Sequence, residues 1–201
     1  MPLIKLGNHK LGNKIAVFSL PAQITCPGAT TWCKNNCYAR KGRYLFSKVK
    51  IGLLRSLEQT KQASFVENVV KELNDLIKKH GIKAVRIHAS GDFYSQEYLD
   101  KWKEIALQLP QLKFAAWTKS WMLDFKNCPE NITIFYSMVP DTEKVPSNIV
   151  RRAYVDYPEL DPEIRRTGYY CPYHELKKGV CQKCGVCYSE NPPEIVIFKK
   201  H

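Results

Sequence analysis

The chain has 201 residues, of which 44% are hydrophobic and 11% aromatic, and it carries a formal charge of +12. That is enough apolar material to bury one substantial core and too little length for two independent ones, which excludes a disordered or fibrous chain. No apolar run approaches the roughly 20 residues needed to cross a bilayer, and Met1 to Phe18 lacks a signal peptide's apolar centre, so the expectation is a cytoplasmic protein without a membrane partner.

In chain order, Ile15 to Leu20 is a short apolar run stopped by Pro21 and reads as a strand. Leu45 to Gln62 is helical in character, with Val49, Leu53 and Leu57 four apart. A second helix has the stripe Val66, Val69, Val70, Leu73, Leu76 and Ile77, with Ser64 and Glu67 as a capping box and His80-Gly81 as its stop. Ile82 to His88 then reads as a buried strand, and Ser95 caps a helix with the stripe Tyr98, Trp102, Ile105 and Leu109. Leu112 to Thr118, Ile132 to Met138 and Ile149 to Val155 are strand-like, and Trp121 to Lys126 reads as a short helix. Strand and helix alternating on short links predict an α/β fold with a mainly parallel sheet, either open or a partial (β/α) barrel. Regularity ends near Pro158. Residues 1–201 are therefore read as one domain, with 158–201 a cysteine-rich, metal-organised extension of it.

Eight cysteines in a reducing compartment point to metal rather than to disulfides. Cys171, Cys181, Cys184 and Cys187 form a complete four-thiolate set whose two successive C-x2-C gaps favour a 4Fe-4S cluster, with structural zinc as the alternative. Cys26, Cys33 and Cys37 are only three. A distant ligand can complete that set, an iron can stay open, or the segment can share the tail's site, so one or two clusters fit the count. Cys128, ahead of a strand, reads as a buried structural thiol at the opposite end of the sheet.

Ligands in a parallel sheet collect at the carboxyl ends of its strands. His88, Ser90, Gly91 and Asp92 occupy one such end; His88 either meets a ligand or braces the loop, and Asp92 either binds a polar group or closes a turn. Trp117 and Lys119 end the next strand and Tyr136 the one after, so these three are candidate cofactor-pocket residues or plain core. The basic residues, including Lys48, Lys50, Arg55, Arg151, Arg152, Arg165 and Arg166, suit an anionic ligand or nucleic acid. They form no helix–turn–helix or zinc-finger pattern.

Cys-Pro-Gly-Ala-Thr-Thr-Trp-Cys, Cys-Tyr-Ala and Arg-Ile-His-Ala-Ser-Gly-Asp-Phe-Tyr-Ser, together with the cysteine-rich tail, resemble the gene product 88 family of phage and prophage proteins over about Lys10 to Cys187. The resemblance implies a mobile-element setting more firmly than a reaction. The segments also look distantly like radical S-adenosylmethionine enzymes, which implies that Cys26, Cys33 and Cys37 hold a cluster with one open iron and that Ser90-Gly91-Asp92 faces the S-adenosylmethionine amino group. The spacing C-x6-C-x3-C departs from the C-x3-C-x2-C of those enzymes. Three functions follow as expectations: an iron–sulfur protein with a redox or regulatory role and a redox partner protein, an S-adenosylmethionine-dependent radical enzyme, and a basic nucleic-acid-binding protein with structural metal sites.

Overall fold

The computed structural model describes residues 2–176 and 179–199, so residues 177, 178, 200 and 201 of the C-terminal extension lie outside the described part. Eight strands form one sheet: β1 (Lys5–Asn8), β2 (Gly12–Val17), β3 (Ala84–Ile87), β4 (Lys113–Thr118), β5 (Ile132–Met138), β6 (Arg152–Asp156), β7 (Tyr169–Tyr170) and β8 (Ile195–Lys199). Their spatial order is β1-β2-β3-β4-β5-β6-β8-β7. The β1–β2 hairpin is antiparallel and every other pairing is parallel. The sheet is open, so of the two architectures allowed by the sequence the barrel is the one not adopted.

The helices are α1 (Thr31–Asn35), α2 (Ser47–Thr60), α3 (Phe65–His80), α4 (Gln96–Gln108), α5 (Pro162–Thr167), α6 (Tyr173–Leu176) and α7 (Val180–Cys184). The expected apolar stripes of α3 and α4 supply the main core. Phe65, Val69 and Leu73 of α3 and Tyr98, Trp102 and Ile105 of α4 pack on Phe18, Val85, Ile87, Phe114 and Ala116 of the sheet. Burying each large side chain contributes about 1.5–3 kcal/mol, and this layer contains most of them. Gly81 ends α3 in the left-handed conformation at φ +59, and the Ser95 hydroxyl accepts the Tyr98 N–H at 3.3 Å to start α4.

Two local expectations fail for identifiable reasons. Ser64 stands at φ −77, ψ 2 and makes no capping bond; its hydroxyl accepts from Asn68 Nδ2 instead, because the Gln62–Phe65 turn already fixes the chain's entry. Trp121 to Lys126 is a series of turns rather than a helix, tied to α4 by Gln96, whose amide pairs with both backbone groups of Asp124.

Strand alternation sends one set of side chains to the helices and the next to the other face. That second face has no long helix. Ile15, Val17 and Ala84 pack there against Cys181 and Tyr188, while Phe135, Ala153 and Val196 pack against Trp117, Cys171 and Cys187. The cysteine-rich segment thus serves as the second layer. The tail is also less irregular than expected, since β7 and β8 flank that segment and β8 lies between β6 and β7 in the sheet.

Candidate functional site

The N-terminal trio lies over the carboxyl ends of β3 and β4, and two glycines let it do so. A Cβ on Gly28 would stand 1.8 Å from the Lys119 carbonyl oxygen, so the Cys26-Pro27-Gly28 loop rests directly on the backbone after β4. A Cβ on Gly91, at φ +80, would come within 2.6 Å of Leu20 Cβ and Thr25 Oγ1, which ties the loop after β3 to the one that carries Cys26. The Ser90 hydroxyl donates to the Leu20 carbonyl at 2.8 Å in the same junction. Helix α1 starts on the Thr30 hydroxyl, which accepts the Cys33 N–H at 3.2 Å, and Asp141 accepts the Trp32 N–H at 2.7 Å. Cys26 Sγ accepts the Gln23 N–H at 3.4 Å, with Gln23 held at φ +70.

Asp92 and Lys119 lie beneath the trio. Asp92 is buried, accepts the N–H groups of Phe93 and Lys119 at 2.7 Å each, and is pushed up to about 6 by burial despite those bonds. Lys119 is buried too, donates to the Ser137 carbonyl at 2.6 Å, and is lowered by burial while Cys33 and Asp92 pull it back. Burial raises the Cys33 thiol and pushes Cys26 up to about 12, so both are neutral when no metal is bound. Tyr136 reaches this end of the sheet and donates to the Lys144 carbonyl at 2.6 Å.

His88 and Trp117 serve other surroundings. The His88 ring sits in the aromatic core, 4.8 Å from Phe93 edge to face, with Nε2 2.8 Å from the Tyr98 hydroxyl. Burial, helped by the Arg86 charge, lowers it to about 3, so it is a neutral imidazole that braces a left-handed residue at φ +66. Trp117 belongs to the opposite face, stacked on Phe135 at 5.4 Å, because the residue beside it in β4, Thr118, takes the helix side.

The tail quartet lies on that opposite face. Cys181 meets the β2–β3 side, and Cys171 and Cys187 the β4–β5–β8 side. The Tyr169 hydroxyl is 3.2 Å from Cys184 Sγ. Burial raises Cys181 and pushes Cys187 up to about 12, and the neighbouring cysteines add to the rise at both. Two cations share this space. Arg86 lies 4.4 Å over the Trp117 ring and donates through Nε to the His88 carbonyl at 3.2 Å. Lys10 lies 4.7 Å over Tyr173 and 5.0 Å over Phe198, and burial lowers its pKa while three of the four tail cysteines raise it. Neither makes an ion pair among the described residues. Among those residues no group of three or more His, Cys, Asp or Glu side chains is drawn together as a ready site for one metal ion.

The Gene product 88 family model matches residues 2–190. The chain belongs to that family. Among its curated relatives, the Gene 88 protein of Mycobacterium phage L5 is 27% identical over 186 residues, covering 82% of this chain and 78% of the phage protein. The Gene 88 protein of Mycobacterium phage D29 is 26% identical over 198 residues, covering 87% of this chain and 82% of its own. No solved structure matches the chain. Family membership covers both cysteine groups, and these comparisons lend no support to the distant likeness to radical S-adenosylmethionine enzymes.

Several residues of the site escape sequence reading. Lys10 is one cation among many in a hairpin turn, and nothing local marks it as facing the tail. Arg86 carried a signal that alternation supplies: on β3 it points away from its neighbours Val85 and Ile87 and therefore cannot face the helices. Cys128, at the other end of β5, packs against the main core as a thiol raised by burial. No helix among the described residues is long and apolar enough to cross a membrane.

Proposed function

We propose that this chain is an iron–sulfur protein with a redox or regulatory role, and that the tail quartet Cys171, Cys181, Cys184 and Cys187 is its principal cluster site. The supporting observation is the charge of the second sheet face. Lys10 and Arg86 are drawn out of water beside Cys181 and Cys187, with Cys171 also near Lys10, and without a carboxylate partner among the described residues. With Cys181 and Cys187 held neutral by burial, only aromatic rings face the two cations. Four thiolates around a 4Fe-4S core carry net negative charge, so loading the site supplies the missing counter-charge. Each thiolate of such a core holds a different iron, so the sulfurs stand farther apart than four ligands of a single zinc ion.

The residues fit the group in chemistry as well as charge. The cluster would supply one-electron chemistry, and the chain's part is to bind, orient and exclude water. Trp117, Phe135 and Phe198 form an apolar wall, and the Tyr169 hydroxyl reaches Cys184 as a hydrogen-bonding neighbour. The N-terminal trio is the second candidate site, with a backbone N–H already aimed at Cys26 Sγ and Lys119 as its nearby cation.

Anaerobic purification with iron, sulfide and zinc counts tests the proposal. Iron and sulfide in cluster ratio that fall when Cys187→Ala is introduced support it; stoichiometric zinc without sulfide overturns it. A second reading, a radical enzyme acting on S-adenosylmethionine at the trio, draws on three thiols seated at strand ends above Asp92. Release of 5′-deoxyadenosine under reduction supports that reading, and a trio cluster whose resonance spectrum ignores S-adenosylmethionine removes it.

A further inference from the structure

The charge of this chain is distributed very unevenly. Of its 31 lysines and arginines, ten lie in the first 57 residues, and none of its 19 aspartates and glutamates does. The other 144 residues carry 21 against 19, close to balance. Lys10 faces the tail cysteines and Lys14 donates to the His80 carbonyl, but the later members of the set behave differently. Lys34, Arg40, Lys41, Arg43, Lys48 and Lys50 are all exposed and make no ion pair among the described residues.

Large apolar side chains emerge between these cations. Phe46 is 63% exposed and Tyr38 50%, and Leu45 and Ile51 are exposed beside them. Their presentation is built. The Tyr38 hydroxyl donates to the Ala89 carbonyl, and its ring meets Tyr44 edge to face at 6.0 Å, so the aromatic face is held in place at little further entropic cost. Phe46 ends the 3-10 turn over Gly42–Leu45 and immediately precedes α2, where Leu53 and Leu57 are buried and Leu57 joins the main core. Free cations interleaved with exposed rings match what a single strand offers. Its phosphates meet the cations, and its unstacked bases meet the rings. A duplex presents the phosphates but keeps its base faces covered, so it leaves Tyr38 and Phe46 without a partner.

We infer that residues 34–51, from the end of α1 into α2, form a binding surface for single-stranded nucleic acid. The inference does not rest on what the cysteines hold, and its test reads the chain either way. The full-length protein is titrated against a fluorescent single-stranded DNA of mixed sequence, between about 50 and 200 mM salt, with a duplex of the same sequence in parallel. The single strand binds more tightly, and its affinity falls with a log–log salt slope near −3, as expected for four or more phosphates at about −0.7 each. Lys48→Gln with Lys50→Gln flattens that slope by about one. Lys78→Gln with Lys79→Gln, which removes the same charge from the exposed end of α3, leaves it unchanged. Phe46→Ala weakens binding about tenfold without altering the slope, because it removes stacking and no charge. Circular dichroism on each variant confirms that the fold is intact. Equal losses from both lysine pairs, or a duplex bound as tightly with no effect of Phe46→Ala, overturn the inference in favour of general polyanion attraction. Absence of strand binding overturns it too, as does preference for vesicles rich in anionic phospholipid.

Discussion

Two groups of cysteines stand on the same sheet in opposite settings. The tail quartet spreads across a face that no long helix covers, with two cations and an aromatic wall. The N-terminal trio sits over strand ends, above one carboxylate and one ammonium that partly balance each other. The quartet's site is electrically incomplete without an anion, whereas the trio's is nearly complete without one. Under the proposed reading, loading the first would bear on the stability of the sheet and loading the second on the posture of a loop.

Removing one ligand from each group gives the sharpest contrast. Cys187→Ala is expected to lose a whole centre in metal analysis and to lower thermal stability by about 3 kcal/mol or more, roughly 6–12 °C for a chain of this size. Cys33→Ala should lose metal only at the trio, with a shift of at most a few degrees by calorimetry. Equal shifts would break the comparison.

Acid separates the support beneath the trio from the rest. His88, at about 3 in the folded chain against 6.5 in the unfolded, stabilises the fold fully above about 6.5 and loses that contribution as pH falls towards 3, several kcal/mol in all. Asp92 works in the opposite sense. Its pKa is raised from 3.8 to about 6, so its contribution is greatest below 3.8 and disappears as pH rises through 6. Urea midpoints measured from pH 3 to 7 should rise with pH, and His88→Asn, which tolerates the left-handed backbone, should flatten that rise.

Gly28→Ala places a methyl group 1.8 Å from a carbonyl oxygen and must displace the loop. A loss of about 1–3 kcal/mol is expected, with metal at the trio reduced and the tail's retained. The smallest effect differs between the two states. Arg86→Met removes the cation stacked on Trp117 and bonded to the His88 carbonyl, and should destabilise the loaded state more than the metal-free chain, by about 1–2 kcal/mol. Denaturation with and without reconstituted metal checks both halves.

How much of this could be read beforehand followed from range of interaction. β5 runs over Ile132–Met138 as its apolar run predicts, and α4 begins where Ser95 indicates, because those signals are local. One partner of Ile195–Lys199 is β6, some forty residues earlier, and no neighbouring residue announces that parallel pairing. The same distinction applies to the site. The cysteine groupings were visible in their spacing, and so was the loop from His88 to Asp92. The facing of Trp117 and Arg86 depended on which side of each strand met the helices, and Lys10 on a contact across the whole tail.

The insertion of β8 between β6 and β7 also bears on how the protein is made. The ribosome releases the cysteines before it releases the strand that adjoins them. Until Ile195–Lys199 emerges, β6 is an open edge and the quartet belongs to an unfinished surface. Under the proposed iron–sulfur reading, assembly of the tail centre and completion of the sheet are therefore late events in the same stretch of synthesis, and a nascent chain stalled a few residues short would hold the four tail cysteines but not the wall they stand on.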